Sequence, residues 1–197
     1  DYLIAQLTGE CVGDVAACST AGAMNIRNGQ WDAELCEVAE IDMTILPHLH
    51  NPQDNIGTVT ESAAQRTGFS AGTAVYAGIG DAGATTLASG VSHPGQYNIN
   101  IGTSGWIATV SPEPFTDKPG AANLAFGVEE GFVNAVPFLN AGDVHKWVTG
   151  VFSDGDYAEA HQLIETSKPG SNGVLCLPYL VGERFPVMNP NIRGAYV

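Results

Sequence analysis

The sequence has few basic residues and no long apolar run. Seven Lys and Arg stand against 21 Asp and Glu among 197 residues, which gives a formal net charge of −14. This balance argues against a nucleic-acid partner, because binding to a phosphate backbone needs a basic face. No apolar run approaches the roughly 20 residues of a membrane span. We therefore expect a cytoplasmic protein with neither a nucleic-acid nor a membrane partner.

Neither the cysteines nor the histidines predict a metal site. The four cysteines are too few for a disulfide scaffold and lack zinc-site spacing, so we expect reduced core residues. They are Cys11, Cys18, Cys36 and Cys176. His48 and His50 would lie on one side of a strand and could bind a metal. The Pro-rich and Asn-rich flanks of this pair favour a polar loop instead.

Residues 74–84 form the most informative segment. An apolar run typical of a strand ends in glycines around one acidic residue, Asp81, and then becomes helical in pattern. Gly78 and Gly80 allow a sharp turn and leave space beside Asp81, and strand-end crevices bind ligands in open α/β sheets. A purely structural alternative also exists, since an aspartate after a strand commonly caps the following helix.

A second glycine turn lies at Ile101-Gly-Thr-Ser-Gly105, between two predicted strands in residues 96–110. Its backbone amides and the Thr103 and Ser104 hydroxyls could bind a phosphate. Alone the turn is weak support for such a site, because most short Gly/Ser/Thr turns only connect strands. Its combination with the Asp81 turn strengthens the interpretation.

Many short segments in one order resemble the FGGY carbohydrate kinases, with xylulokinases and gluconokinases the most similar members. The matching segments are Leu7-Thr-Gly-Glu10, Asp14, Trp31-Asp32, Leu46-Pro47, Gly57–Thr60, Gly72-Thr73, Gly78-x-Gly-Asp81, Ile101–Gly105, Ala141-Gly142, Trp147, Leu177–Pro186 and Arg193-Gly194. The resemblance implies an α/β, actin-like ATPase (ribonuclease H-like) fold with a cleft between two domains. It also implies ATP-dependent phosphorylation of a sugar hydroxyl, with Mg²⁺ accompanying the nucleotide.

The resemblance assigns roles to individual residues. Asp81 falls on the general base, which would accept the proton of the attacking sugar hydroxyl. Gly102, Thr103 and Ser104 fall on a loop that binds the ATP phosphates, and Gly142 on a glycine that lies along the nucleotide. Lys146 could reach a phosphate, although an exposed helical lysine is the preferred interpretation. No metal ligand is predicted.

Ala82 departs from the family pattern at a sugar-binding position. Relatives often carry Asn or Gln there, and a methyl group cannot donate or accept the corresponding hydrogen bond. The sugar is therefore open: xylulose or a related ketose is favoured, with gluconate or another polyol as the alternative. A catalytically silent module that binds nucleotide or sugar is the remaining alternative.

The resemblance also predicts the organisation of the chain. Residues 1–73 would complete the first, sugar-binding domain, and residues 74–197 would begin the second, nucleotide-binding domain. Because a first phosphate loop is missing, we expect an inactive internal fragment of a longer kinase. A homodimer is compatible with the resemblance.

Local patterns predict several further elements. Helices are expected over residues 31–40 with Asp32 as cap, 60–67 with Gly68 at the end, 141–150 and 157–166, and a buried strand over 173–177. Glu183 and Arg184 are expected to pair with other groups in a rigid, structural loop.

Overall fold

The structure is a computed structural model that describes residues 1–197, and the chain divides into two compact units. Unit 1 comprises Asp1–Asn98, Thr109–Phe115 and Ala122–Asn134. Unit 2 comprises Ile99–Ala108, Thr116–Ala121 and Ala135–Val197. None of the helices combines the length and the apolar composition that crossing a bilayer requires.

Unit 1 alternates short helices and strands up to residue 88. Its elements in this part are α1 (Tyr2–Thr8), β1 (Val12–Asp14), α2 (Val15–Cys18), β2 (Met24–Asn25), β3 (Gln30–Trp31), α3 (Ala33–Val38), β4 (His48–His50), β5 (Asn55–Thr58), α4 (Glu61–Thr67), β6 (Ala74–Tyr76) and α5 (Asp81–Ala88). Strands β1 and β4 pair in parallel, while β2 pairs with β3 and β5 with β6 in antiparallel fashion.

Four longer strands follow and form one sheet. They are β7 (Tyr97–Ile101), β8 (Gly105–Ser111), β9 (Ala122–Ala125) and β10 (Phe132–Phe138), in the order β7-β8-β10-β9. The division between the units runs through β7, β8 and β10, so each unit contains part of these strands. The two strands predicted on either side of the 101–105 turn are thereby confirmed.

Unit 2 continues with two helices and a small ribbon. Helix α6 spans Gly142–Phe152 and α7 spans Tyr157–Thr166, and β11 (Cys176–Leu177) pairs antiparallel with β12 (Ala195–Tyr196). Three short 3-10 turns complete the chain at Ser19–Ala21, Met43–Ile45 and Ser171–Gly173.

The predicted Asp32 cap and the predicted helix end at Gly68 are confirmed in unit 1, and Thr60 is a further cap. Asp32 accepts hydrogen bonds from the Glu34 and Leu35 amides at the start of α3, and Thr60 accepts one from the Ala63 amide at the start of α4. Gly68 ends α4 with a φ of 80°, a left-handed conformation that glycine adopts without steric cost. These satisfied amides explain why such short helices begin and end where they do.

The core of unit 1 forms where α2 meets strand residues of β2 and β9. Val15, Met24 and Ala125 are buried together, with Trp31 and Leu49 packed against them. The indole N–H of Trp31 donates to the Pro47 carbonyl at 2.8 Å, so the polar atom of this large side chain is satisfied. Helix α2, which contains Val15, is thus anchored on a defined hydrophobic cluster.

Three expectations from the sequence are wrong. His48–His50 is strand β4 rather than a loop, because its backbone pairs with Val12–Asp14. Residues 173–177 do not form a buried strand. Val174 and Leu175 are exposed, and the strand itself comprises only Cys176–Leu177, which is exposed as well. Of the four free cysteines only Cys36 is buried, while Cys18 is half-buried and Cys11 and Cys176 are exposed.

Candidate functional site

Asp81 lies at the first position of α5, directly after the glycine turn that follows β6. Gly78 adopts a φ of 72°, and Gly80 is the residue that caps the helix start. The Asp81 side chain is exposed, and its Oδ1 accepts a hydrogen bond from the Ala82 amide at 2.8 Å. The carboxylate is therefore oriented by its own helix start while remaining accessible to a ligand.

Glycines in this turn permit α5 to approach α2 closely. A Cβ added to Gly80 would lie 3.1 Å from the Ala17 Cβ and 3.3 Å from the Ala17 Cα and N atoms. A Cβ added to Gly83 would lie 2.3 Å from Ile79 Cδ1 and 3.8 Å from the Ala16 Cβ. A Cβ at Gly80 would crowd the α2 backbone, whereas a Cβ at Gly83 would displace the flexible end of the Ile79 side chain. Space, and not a positive φ, is the constraint at both positions.

A small cavity of about 140 Å³ opens beside Asp81 in unit 1. Its lining residues are small or apolar, apart from one hydroxyl and one carboxylate. They are Ala16, Ala17, Thr20, Gly80, Asp81, Ala82, Gly83 and Leu124. The cavity thus offers one anionic side chain and no cationic one, and Ala82 contributes only its methyl group and backbone.

Asp14 is a residue of this site whose role sequence reasoning missed. It ends β1, is only 5% exposed and accepts a hydrogen bond from the Ala17 amide at 2.9 Å. The same Oδ1 accepts a hydrogen bond from the Gly80 amide at 3.2 Å. An aspartate before a helix is a recognisable capping signal, but no local pattern points to a partner 66 residues away.

The predicted phosphate loop lies in unit 2, between β7 and β8. Gly102, Thr103 and Ser104 are all exposed, and the Gly102 amide donates to the Ser104 carbonyl at 2.9 Å. Gly105 packs beneath Phe138, where an added Cβ would lie 2.4 Å from a ring carbon. The turn is therefore fixed at its base, while the exposed residues Thr103 and Ser104 present their hydroxyls to solvent.

The start of α6 is joined to this loop by backbone hydrogen bonds. The Gly142 amide donates to the Gly102 carbonyl at 2.8 Å, and the Asp143 amide donates to the Thr103 carbonyl at 3.3 Å. A Cβ on Gly142 would lie 2.5 Å from the Gly102 oxygen, so only glycine fits at this position. The structure thus brings together Gly102, Thr103 and Gly142, which the sequence placed about 40 residues apart.

Lys146 and His145 lie on the second turn of α6. Both side chains are exposed. The His145 ring contacts the Tyr157 ring edge-on with the centroids 5.4 Å apart, so His145 packs between α6 and α7. Lys146 is an exposed helical lysine in unit 2, in the same helix as Gly142.

The loop around Glu183 is structural, as the sequence predicted. Glu183 is 5% exposed and its carboxylate accepts hydrogen bonds from the Leu139 and Arg184 amides, both at 2.8 Å. Leu139 and Asn140 lead directly into α6, so this loop supports the segment before Gly142 rather than contributing an exposed ligand group.

Comparison with known proteins identifies the family. Residues 1–88 match the FGGY family of carbohydrate kinases, N-terminal domain. The whole chain is 29% identical to a gluconokinase of Bacillus subtilis and 30% identical to a xylulose kinase of Lactococcus lactis. The chain belongs to the FGGY family of carbohydrate kinases. It spans 40% of the length of both of these relatives.

The FGGY assignment extends to the fold. The structure of a ligand-bound xylulose kinase from Lactobacillus acidophilus aligns over all of this chain and 40% of its own, with a TM-score of 0.90 and 27% sequence identity. The actin-like α/β fold of the FGGY sugar kinases, expected from the sequence, is thereby confirmed.

Proposed function

We propose that the protein that carries this FGGY chain transfers the γ-phosphoryl group of ATP to a sugar hydroxyl, with Asp81 as the general base. The observation that carries the proposal is the position of Asp81. Its exposed carboxylate stands at the start of α5, on the edge of a cavity whose other lining residues are small or apolar apart from Thr20. The Ala82 amide, at 2.8 Å, restrains the carboxylate's orientation.

The proposed reaction needs little covalent chemistry from the protein. The Asp81 carboxylate accepts the proton of the sugar hydroxyl as its oxygen attacks the γ-phosphorus. The bond between that phosphorus and the β–γ bridging oxygen breaks, and ADP leaves. Such transfers depend mostly on positioning and on neutralising charge, so an oriented carboxylate and a phosphate-binding loop are the required parts.

In this proposal the Gly102–Ser104 turn binds the nucleotide phosphates. Exposed backbone groups and the Thr103 and Ser104 hydroxyls can hydrogen-bond to phosphate oxygens. The contact of Gly142 with the Gly102 carbonyl fixes this turn against α6, and Gly142 without a side chain leaves room for the nucleotide along the helix start. Lys146, exposed on α6, adds a cation that attracts phosphate.

Mg²⁺ is expected to accompany ATP. The chain contains no group of three or more His, Cys, Asp or Glu side chains that could hold a metal ion. Because Mg²⁺ is usually bound by one or two carboxylates together with substrate phosphates, its chemistry here would be to neutralise phosphate charge. We assign no residue of this chain to the metal and no step to it.

A neutral ketose such as xylulose is the substrate that the cavity favours. Matches to a xylulose kinase and to a gluconokinase are of equal strength and support both sugars. The cavity lining, however, holds the Asp81 carboxylate and no Lys or Arg. A sugar acid in this cavity would place a second carboxylate near Asp81 without a compensating cation, which is unfavourable.

We also propose that residues 1–73 belong to the sugar-binding domain and residues 74–197 to the nucleotide-binding domain. Support for the first part comes from the N-terminal domain match, which covers residues 1–88. In this division Asp81 follows shortly after the boundary in the sequence.

The test is coupled ADP release across a panel of ketoses, polyols and sugar acids, by the protein that carries this chain. We expect turnover on a ketose and a loss of at least a thousandfold in kcat on Asp81→Asn, since the amide cannot accept the proton. Asp154→Asn is the matched control, because Asp154 is exposed and its φ of 47° suits asparagine. Bound nucleotide without turnover on any sugar would favour the silent binding module.

A further inference from the structure

A buried carboxylate connects two helix starts in unit 1. Asp14 is 5% exposed, and a charged side chain is rarely buried unless hydrogen-bonded or paired. Its Oδ1 accepts from the Ala17 amide within α2 and from the Gly80 amide, which belongs to the turn before α5. One oxygen atom thus holds both the local helix and the distant turn.

The Gly80 contact acts on the residue next to the proposed base. Gly80 is the capping residue of α5 and Asp81 is the first residue of that helix. The close approach of Gly80 to Ala17 leaves the turn little room to move toward α2. The hydrogen bond from the Gly80 amide to Asp14 restrains the turn from moving away.

We propose that Asp14 is a positioning residue for Asp81. Its carboxylate fixes the Ile79-Gly80-Asp81 turn and thereby places the Asp81 carboxylate at the edge of the cavity. This inference rests on the proposed function, because Asp14 acts only through Asp81. Displacement of a reacting group by about 1 Å can cost on the order of a hundredfold in rate, so the contact should affect kcat.

The competing explanation is that Asp14 only caps α2. Asp32 provides the comparison. Its side chain accepts two backbone hydrogen bonds, both from residues at the start of α3, and none from Gly80. If capping is the only role of Asp14, replacing Asp14 by alanine should change kcat no more than replacing Asp32 by alanine does.

Three variants of the protein that carries this chain separate these explanations. Asp14→Ala removes both hydrogen bonds. Asp14→Ser keeps a good helix cap but moves the acceptor oxygen back toward the backbone of residue 14, away from Gly80. Asp32→Ala removes an equivalent cap elsewhere, and Asp14→Asn, which retains an acceptor oxygen, tests rescue.

We expect Asp14→Ala and Asp14→Ser to lower kcat at least tenfold with KM for ATP changed less than twofold. Asp14→Asn should retain at least a third of kcat, and Asp32→Ala should match the unaltered protein. Hydrogen–deuterium exchange of peptides that include the Gly80 amide should accelerate in Asp14→Ser but not in Asp32→Ala.

Two outcomes overturn the inference. One is a kcat within twofold of the unaltered protein in Asp14→Ser, and the other is unchanged exchange at Gly80. Should Asp14→Ala fail to fold, Asp14→Ser still decides, because it preserves the cap. Absence of turnover in the unaltered protein would instead overturn the proposed function, and the Gly80 exchange would still test the contact itself.

Discussion

Asn140 Nδ2 donates a hydrogen bond to Glu183 Oε2 at 3.0 Å, and both residues are buried in unit 2. The same amide nitrogen donates to the Gly182 carbonyl at 2.6 Å, and Asn140 Oδ1 accepts from the Leu180 and Val181 amides. Every polar atom of the Asn140 side chain is thus used, which fixes its orientation. The pair joins residues 180–184 to the segment that leads into α6.

The first prediction concerns Glu183→Gln. Glu183 accepts hydrogen bonds from the Asn140 side chain and from backbone amides. A glutamine amide would place its own N–H groups against one of these donors, and Asn140 cannot turn without losing its other bonds. Loss of such a buried contact costs about 1–3 kcal/mol. We expect the free energy of local opening to fall by this amount, measured by hydrogen–deuterium exchange of the Leu139, Leu180 and Val181 amides.

Glu113→Gln is the control for this substitution. Glu113 pairs with Arg27 at 2.7 Å, but both side chains are more than half exposed. Exposed ion pairs contribute about 0–1 kcal/mol to stability. Hydrogen–deuterium exchange of the same amides should therefore change little in Glu113→Gln. Equal effects of the two substitutions would show that Asn140 and Glu183 do not form a stabilising buried network.

The second prediction concerns the pH dependence of the same region. Burial tends to raise the pKa of Glu183, but hydrogen bonds from Asn140 and from the Leu139, Arg184 and Phe185 amides outweigh it and hold the pKa below its ordinary value of 4.5. The unfolded segment therefore binds a proton more readily than the folded one. The stabilisation is fully present above about pH 4.5 and is lost as the pH falls through the lowered folded-state pKa.

The measurement is the difference in opening free energy between the unaltered protein and Glu183→Gln, from exchange rates corrected for their intrinsic pH dependence. We expect a constant difference between pH 7 and pH 5 that narrows below about pH 4.5. A difference that stays constant to pH 3 would contradict a depressed pKa at Glu183.

Local signals explain which parts of the fold could be predicted. Asp32 marks a helix start and Gly68 marks a helix end within a few residues of the element concerned, and both predictions are confirmed. The strand at His48–His50 could not be predicted in this way, because its partner Val12–Asp14 lies more than 30 residues earlier. The predicted burial of residues 173–177 was wrong for the same reason, because the burial of a segment depends on which distant residues pack against it.

Prediction of the candidate site from sequence was limited in the same way. Asp81 was found because its own turn is unusual in sequence, and its assigned role is still a prediction. Asp14 was not assigned a role, since its contact with Gly80 joins residues far apart in the chain. The sequence likewise does not explain why residue 142 is glycine, because the constraint is the Gly102 carbonyl, which is distant in the chain and adjacent in the fold.

The last prediction tests the nucleotide site through Gly142→Ala. The new Cβ would lie 2.5 Å from the Gly102 oxygen, so the start of α6 or the loop must shift and the 2.8 Å hydrogen bond between Gly142 and Gly102 is lost. If this loop binds the phosphates, ATP affinity should fall at least tenfold, which corresponds to about 1.4 kcal/mol. Isothermal titration calorimetry with ATP measures the change.

Gly150→Ala is the matched control in the same helix. A Cβ at Gly150 would meet no atom within 4 Å, and alanine is favoured over glycine in a helix interior by roughly 0.5–1 kcal/mol. We expect unchanged ATP affinity and a slightly more stable helix. Because the two substitutions add the same methyl group, a loss of affinity confined to Gly142→Ala comes from position 142 itself, through its contact with the Gly102 loop or through the space it leaves for the nucleotide. Unchanged affinity in both variants would place the phosphates elsewhere.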